Sequence, residues 1–289
     1  MKNLLIVLGI IFLLILIEII REITTFKVTH YEIVSGKLKK NMGEKKIAFI
    51  SDLHNYSYGK DNGKLLKAIE REEPDMILSA GDLLVGDKNK SSETAEKFVA
   101  SLASEFPVYC ANGNHEQRMK EKPATYGEKY IQYKKELLKA GVHLLENDSV
   151  LLDWAGSKVR ISGLEIPLRY YGKFTKEKLK IDEIESRLGK ADEDIFEILL
   201  SHNPVHAETY AKWGVDLTLS GHLHGGMVRI PFKRGVITPQ ACLFPKYSGG
   251  IYDVGKKKIV VSKGLGVHTI PIRLFDEAEV IILHVKGKG

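Results

Sequence analysis

Aspartate, asparagine and histidine residues follow five short apolar runs of this chain. Short runs of this kind, bounded by glycine and polar residues, predict buried β-strands. The carboxyl ends of neighbouring strands open on one crevice, so we expect the polar side chains to converge there. The runs and the polar sets after them are Ile47–Ser51 before Asp52-Leu53-His54, Met76–Ala80 before Gly81-Asp82, Val108–Ala111 before Gly113-Asn114-His115-Glu116, Ile195–Leu200 before Ser201-His202-Asn203, and Val215–Leu219 before Gly221-His222-Leu223-His224.

These side chains predict a site for two divalent metal ions. Asp52 and His54 lie two positions apart and project to one side of an extended segment. Asp82 follows the next strand, where it can bridge the two ions. Carboxylate, amide and imidazole ligands suit manganese, iron or zinc, and two such ions about 3.5–4 Å apart promote in-line displacement at phosphorus. The predicted metal ligands are Asp52, His54, Asp82, Asn114, His202, His222 and His224.

His115 directly follows the predicted ligand Asn114. A histidine beside the metals can stabilise charge at phosphorus or protonate the leaving oxygen, although a capping or packing histidine is the alternative. Glu116 either orients a histidine or occupies a helix start. We therefore predict His115 and Asp82 as the catalytic residues. The isolated histidines are expected to be structural, and these are His143, His206, His268 and His284.

The amino terminus is an uninterrupted apolar run from Leu4 to Ile17 that continues past Glu18. Its length approaches the roughly 20 residues that span a bilayer. A cleaved signal peptide would end in small residues, and none follow here. We therefore predict an uncleaved transmembrane signal anchor over residues 1–22, with a buried soluble helix as a weaker alternative. The protein is expected in the cell membrane as a single-pass chain, with the folded domain outside the cytoplasm.

Charge and cysteine content narrow the choice of partners. A net charge of +6 suits an anionic partner, but no basic block is interleaved with aromatics, so we expect no specific nucleic-acid binding. Two cysteines, Cys110 and Cys242, are too few for a disulfide framework, and Cys110 is expected to be a buried thiol. We expect a phosphate-ester substrate, which could be lipid-linked or nucleotide-linked, and a monomeric chain.

Helical and strand-like segments alternate in the first half of the chain, and strand-like segments dominate the second half. After a connector over residues 23–44, which contains a strand from Thr24 to Val34, this order predicts two packed sheets with helices outside. Ser91 or Ser92 is expected to cap a helix, with Glu96 placed for a capping box. The other predicted helices are Gly63–Glu72, Tyr126–Ala140, Phe174–Leu188 and Val205–Lys212, and the later strands include Met227–Ile230 and Gly250–Val254.

The five polar sets, in this order, resemble the pattern of the calcineurin-like metallophosphoesterase superfamily. The Gly221-His222-Leu223-His224-Gly225-Gly226 segment and Val261-Ser262-Lys263-Gly264-Leu265-Gly266 look like the membrane-associated bacterial branch related to UDP-2,3-diacylglucosamine pyrophosphohydrolases. The resemblance implies a four-layer αββα sandwich of two mixed sheets, of the metallo-dependent phosphatase type, over residues 45–289. It also implies one metal on Asp52, His54, Asp82 and His224, and a second on Asp82, Asn114, His202 and His222. Phe275-Asp276-Glu277-Ala278-Glu279 is more acidic than this branch would predict.

Three functions remain open at this point. The first is hydrolysis of a phosphodiester or pyrophosphate bond in a membrane- or envelope-linked substrate. A broad-specificity phosphomonoesterase and an inactive, membrane-tethered metal-binding scaffold are the alternatives. Arg160, Arg169 and the Tyr170-Tyr171 pair could contact substrate, although simple surface exposure explains them as well.

Overall fold

Two six-stranded β-sheets pack face to face and carry helices on their outer surfaces. The computed structural model describes residues 1–172, 175, 177–226, 228–229, 235–238, 243–267 and 271–288. Within these residues the architecture is the four-layer αββα sandwich of the α/β class that the sequence predicts. Sheet 1 comes from both ends of the chain, and sheet 2 comes from its middle and later parts.

Sheet 1 has the strand order β1-β14-β2-β3-β4-β5. Strands β2 to β5 run parallel to one another, whereas β14 is antiparallel to β2. Strand β1 pairs in parallel with β14, from Phe26 opposite Ala278 to Ser35 opposite Gly287. The predicted connector thus supplies an edge strand of this sheet. The bounds are β1 Phe26–Ser35, β2 Glu44–Ile50, β3 Met76–Ser79, β4 Val108–Ala111, β5 His143–Leu145 and β14 Ala278–Gly287.

Sheet 2 has the order β12-β13-β9-β8-β7-β6, with antiparallel pairs at its two edges and parallel pairs between them. A separate pair of short antiparallel strands lies between β9 and β12 in the chain. The bounds are β6 Asp148–Trp154, β7 Ser157–Gly163, β8 Phe196–Leu200, β9 Leu217–Ser220, β12 Gly250–Val254 and β13 Lys257–Val261, with β10 Val228–Arg229 and β11 Gly235–Ile237 forming the separate pair.

The helices divide between the two outer faces. Helices α2, α3 and α6 pack on sheet 1 through a core that includes Leu65, Phe98 and Tyr133, and α7 and α8 pack on sheet 2 through Ile184 and Tyr210. Their bounds are α1 Lys2–Thr24, α2 Gly63–Arg71, α3 Glu93–Glu105, α4 Asn114–Glu121, α5 Pro123–Tyr126, α6 Lys129–Lys139, α7 Ile181–Leu188 and α8 Ala207–Trp213.

A second core fills the space between the two sheets. Its members are fully buried aliphatic and aromatic residues of the central strands, including Phe49, Ile198 and Leu283. Strands buried on both faces read as continuous apolar runs, which is why the sequence located them well. Cys110 lies in sheet 1 and is buried as predicted, and burial raises the pKa of its thiol to about 12.

Three local predictions differ from the structure. The helix predicted over Tyr126–Ala140 starts at Lys129, because Gly127 at φ 60° interrupts it. The predicted capping box is wrong, since the Ser92 hydroxyl donates to the Glu96 carboxylate at 2.5 Å. The helix predicted from Phe174 is observed only from Ile181, and Phe174 itself lies outside the described residues.

Helix α1 is the one described helix that is long and apolar enough to cross a membrane. Most of its side chains from Leu4 to Ile20 are exposed rather than packed on the sandwich. A helix of this kind at the amino terminus fits a membrane span or a signal sequence.

Candidate metal centre

The carboxyl ends of five strands place the predicted ligands in one crevice. Strands β2, β3 and β4 lead into the loops of Asp52, Asp82 and Asn114, and β8 and β9 lead into those of His202 and His222. Three groups of side chains bring their ligand atoms within 4.8 Å of one another. These groups are Asp52-His54-His224, His54-Asp82-His115 and Asp82-His202-His222.

The backbone turns sharply at these positions. Five of the proposed ligands have a positive φ, a conformation that costs a non-glycine residue on the order of 1–2 kcal/mol. Strain of this kind persists only where surrounding contacts hold it, and it is concentrated here at the predicted site. The five are Asp52 at φ 53°, His54 at 49°, Asp82 at 53°, His222 at 72° and His224 at 46°.

Asp52 links the two sheets at the crevice. The backbone N–H of His222 donates to both of its carboxylate oxygens, at 3.0 and 3.1 Å, and the Ser51 hydroxyl donates to Oδ2 at 2.6 Å. Gly221 must lack a side chain, because a Cβ there would lie 2.1 Å from Asp52 Oδ2. The loop after β9 is thereby fastened to the loop after β2.

Glu116 fastens the Asp82 loop to the Asn114 loop. Its buried carboxylate accepts the backbone N–H groups of Asp82 at 2.9 Å, Leu83 at 2.9 Å and Gly113 at 3.0 Å. The alternative that Glu116 orients a histidine is wrong, whereas its position at a helix start is confirmed by its place in the first turn of α4. A Cβ on Gly113 would lie 2.2 Å from Asp82 Oδ1, so this glycine allows the close approach.

Hydrogen bonds set the proton positions of two imidazoles. His202 Nδ1 lies 2.9 Å from the carbonyl oxygen of Ala80, which can only accept, so Nδ1 carries a proton, and Nε2 lies 3.0 Å from Asp82 Oδ2. His115 shows the opposite arrangement, because its Nδ1 accepts the Gly86 N–H at 2.8 Å. The proton of neutral His115 is therefore on Nε2, which faces Asp82 Oδ2 at 3.9 Å.

The donor set fits divalent metal ions. His54 Nε2 and His224 Nε2 lie 3.0 Å apart, and Asn114 Oδ1 is buried without a hydrogen-bond partner among the described residues. Burial raises the pKa of the Asp52 carboxyl to about 6, and the negative charge of Asp82 adds to this rise. A metal ion would supply positive charge beside the two carboxylates and would give the buried acceptor atoms a partner.

Several other residues that the sequence analysis considered for substrate contact or metal binding lie outside the three ligand groups. Arg160 forms an ion pair with buried Glu197 at 2.6 Å, and Arg169 is half exposed. Tyr170 is buried, so surface exposure is wrong for this residue, and its hydroxyl donates to Glu183 at 2.6 Å. His143, His206 and His284 stack or bond with neighbours away from the ligand groups, and His268 lies outside the described residues.

Two further residues contact the crevice: Tyr171, one of the tyrosine pair for which substrate contact was one of the two interpretations, and Arg273, for which the sequence predicts no role. The ring of Tyr171 lies edge-on to His222, with ring centroids 5.0 Å apart. Arg273 donates to the carbonyl oxygens of Lys263, Gly264 and Gly266 at 2.8–3.1 Å. Gly266 in turn donates its N–H to the Asp52 carbonyl at 2.6 Å, so Arg273 supports the Asp52 loop. A single buried arginine carries no local sequence signal for this role.

Comparison with known proteins identifies the family. The model of the calcineurin-like phosphoesterases matches residues 45–226, which carry every predicted ligand. The chain belongs to the calcineurin-like phosphoesterase family. Membership confirms the predicted family, and with it the prediction of a hydrolase that acts on phosphoric ester bonds. Enzymes of this family use divalent metals, and the crevice supplies the aspartate and histidine groups that would bind them.

Three bacterial relatives cover nearly the same length. An uncharacterised metallophosphoesterase of Aquifex aeolicus is 31% identical over 266 residues, which are 91% of this chain and 93% of that protein. The uncharacterised metallophosphoesterase YkuE of Bacillus subtilis is 28% identical over 90% of this chain and 85% of its own length. The phosphodiesterase YaeI of Escherichia coli is 25% identical over 88% of each chain.

Proposed function

We propose that this phosphoesterase uses two divalent metal ions to hydrolyse a phosphodiester or pyrophosphate bond in a membrane- or envelope-linked substrate. The observation that carries the proposal is the pair of ligand groups Asp52-His54-His224 and Asp82-His202-His222, which share no member and lie in one crevice. A single structural ion would need only one such group.

Each group would hold one ion of manganese, iron or zinc. Asp82 would bridge the ions, and the buried Oδ1 of Asn114 would complete the site formed with His202 and His222. When bound, the ions supply Lewis acidity at the phosphoryl oxygens and lower the pKa of a water to the range needed for attack at neutral pH.

The residues of the chain supply orientation and the proton. His115 presents an Nε2–H toward the crevice, because Gly86 holds its Nδ1 as an acceptor. We assign to this proton the stabilisation of charge at phosphorus or its transfer to the leaving oxygen. Glu116 and Ser51 hold Asp82 and Asp52 in place through the contacts described above.

A diester or pyrophosphate substrate and a membrane location have separate support. The relative YaeI is named a phosphodiesterase, which favours a diester over a monoester. Helix α1 is long and apolar enough to serve as a single-pass anchor for the catalytic domain, which we place outside the cytoplasm. Residues 1–22 would then be anchor and residues 45–289 the catalytic domain.

The experiment is a substrate panel with full-length protein in detergent and added manganese. A soluble chromogenic diester, its monoester counterpart, a nucleotide sugar and a lipid-linked pyrophosphate are compared. We expect the diester or pyrophosphate to be hydrolysed fastest, and Asp82→Asn to lose this activity while His143→Gln, which changes a histidine at the far end of β5, keeps it. A dominant monoesterase rate, or an active Asp82→Asn variant, would overturn the proposal.

A further inference from the structure

The carboxyl end of helix α1 lies at the same end of the sheet-1 strands as the metal centre. Strand β1 starts at Phe26 opposite Ala278, at the start of β14. Because β14 runs antiparallel to β2, its start lies beside the end of β2, from which the Asp52 loop departs. The topology therefore sends the apolar helix out of the sandwich on the side where the ligands converge.

Direct contacts fix this placement. The hydroxyl of Tyr56, two residues beyond His54, donates to the Ile23 carbonyl at the end of α1. The buried Glu22 carboxylate accepts the Asp276 N–H at 2.8 Å. Arg21 contacts the Glu277 carboxylate at 3.4 Å. The last turn of α1 is thus packed on the loops of the catalytic domain and has a defined position relative to them.

The acidic stretch that the sequence left unexplained belongs to this contact. Asp276 is fully buried beside Arg273, with its Oδ2 3.8 Å from Arg273 Nη1. The neighbouring Phe275 is 48% exposed, and Ile272 is 38% exposed. Two apolar side chains therefore face solvent within a few residues of the groups that hold the end of α1.

A third exposed apolar side chain lies on the far side of four short segments that pair side by side like β-strands. Leu274 bridges to Val228, Val228 pairs with Ile237, and Ile237 bridges to Leu243. Three steps of about 4.8 Å place Leu243 roughly 14 Å from Leu274. Phe244, next to Leu243, is 59% exposed. We call Phe244, Ile272 and Phe275 the apolar rim.

The two aromatic residues of the rim share an unusual backbone conformation, with a positive φ angle. Phe244 has φ 48° and Phe275 has φ 56°, in the left-handed region that large side chains rarely adopt. In both places the strained turn leaves an aromatic side chain about half exposed. Exposed phenylalanine side chains of this kind are found on protein surfaces that enter the boundary between lipid headgroups and acyl chains.

The position of the charged turn of α1 sets the level of the membrane surface. Glu18 and Arg21 are the first charged side chains after the apolar run that are not buried, so they mark the headgroup region. Arg21 contacts Glu277, and Phe275 lies only two residues from Glu277, a distance of at most about 7 Å along the chain. Phe275 therefore lies at the depth where apolar side chains can enter the bilayer.

We propose that the apolar rim inserts into the outer part of the same bilayer that α1 spans. The catalytic domain is then held at two places, and the metal crevice opens against the lipid surface. The inference rests on the proposed function, because it takes α1 as the anchor and phosphate esters at the membrane as substrates. A second copy of this chain or a protein partner on the rim would be the competing occupants.

The test uses full-length protein reconstituted in lipid nanodiscs that contain brominated acyl chains. Phe275→Trp and Phe244→Trp report insertion through bromine quenching of tryptophan fluorescence, against a background from Trp154 and Trp213, which are both buried. Leu138→Trp is the matched control, since Leu138 is 50% exposed near the end of α6, whose chain then enters β5 at the opposite edge of sheet 1.

We expect strong quenching at the two rim positions and none beyond background at Leu138→Trp. Equal quenching at all three positions, or quenching only in an oligomer, would overturn the proposal. Ile272→Ser combined with Phe275→Ser is the second arm. It should lower the ratio of hydrolysis of a vesicle-embedded phosphodiester to that of a soluble diester about tenfold, as the loss of two interfacial side chains predicts.

The two proposals fail in distinguishable ways. If wild-type protein hydrolyses no soluble diester but the rim tryptophans are quenched, the proposed activity is wrong and the membrane contact stands. If the soluble diester is hydrolysed but the rim tryptophans are not quenched, the rim proposal alone is overturned. An unchanged activity ratio in the double serine variant would also contradict it.

Discussion

Glu116 offers the sharpest test of how the crevice is built. Its two oxygens accept the N–H groups of Asp82, Leu83, Leu84 and Gly113, which belong to two different loops. Replacing the residue in Glu116→Gln keeps the shape and the length of the side chain. It replaces one acceptor oxygen with an NH₂ group, which must face at least one of these backbone donors.

The expected loss of folding stability follows from these hydrogen bonds. The least damaging orientation leaves two backbone donors facing the amide NH₂, the Leu83 N–H at 2.9 Å and the more distant Leu84 N–H at 3.4 Å, and an orphaned buried donor costs about 1–3 kcal/mol. The two remaining hydrogen bonds lose the charge of the carboxylate, which weakens each by about 1 kcal/mol. The total of about 3–5 kcal/mol corresponds to a fall in Tm of roughly 10 °C for a domain of this size.

Thermal unfolding of the purified protein, followed by circular dichroism, measures this change. Glu121→Gln is the matched control, since Glu121 lies exposed on the same helix and, among the described residues, accepts a side-chain hydrogen bond only from Gln117, at 2.7 Å. Its Tm should stay close to that of the wild type. A Glu116→Gln variant as stable as this control would refute the assignment of Glu116 as the clamp between the two loops.

Three further variants extend the account. Gly113→Ala should displace the Asp82 carboxylate and lower the amount of bound metal, measured by elemental analysis. Gly36→Ala should leave the metal content unchanged, because a Cβ at Gly36 would have no neighbour within 4 Å. Equal metal content in the two variants would contradict the close approach of Gly113 to Asp82. In His115→Gln, kcat should fall about 10²–10⁴-fold with unchanged metal content, and a wild-type kcat would exclude the proton role. Burial raises the pKa of Asp276 to about 7. The folded state therefore binds a proton at Asp276 between pH 4 and 7 that the unfolded state does not bind. As pH rises through that window, the free energy of unfolding of the wild type should fall by up to about 4 kcal/mol relative to that of Asp276→Asn, so the two Tm curves should diverge. Parallel Tm curves would argue against this assignment.

The sequence predicted the strands of the crevice because each is buried on both faces and ends at a glycine or a polar ligand. Runs such as Val108–Ala111 need no knowledge of distant contacts to be recognised. The same locality explains why the sequence indicates the candidate ligand residues without knowledge of the fold. The order of the five sets along the chain then limited the arrangement to one crevice.

The long-range contacts were beyond local reasoning. The strand after α1 was predicted, but its parallel pairing with β14, some 250 residues later, was not. Arg273 and Tyr171 reach the crevice only because the fold brings distant loops together. The predicted start of α6 was also wrong, because Gly127 decides it through a positive φ that periodicity does not report.

The most direct measurement of the central claim is the metal content of the purified full-length protein, followed by chelation and reconstitution. The account predicts two divalent ions per chain, complete loss of diester hydrolysis on chelation and its return with manganese. Asp82→Asn should bind fewer ions and remain inactive after reconstitution. Wild-type protein that binds a single ion at full activity, or that hydrolyses the diester after complete metal removal, would contradict the two-metal crevice.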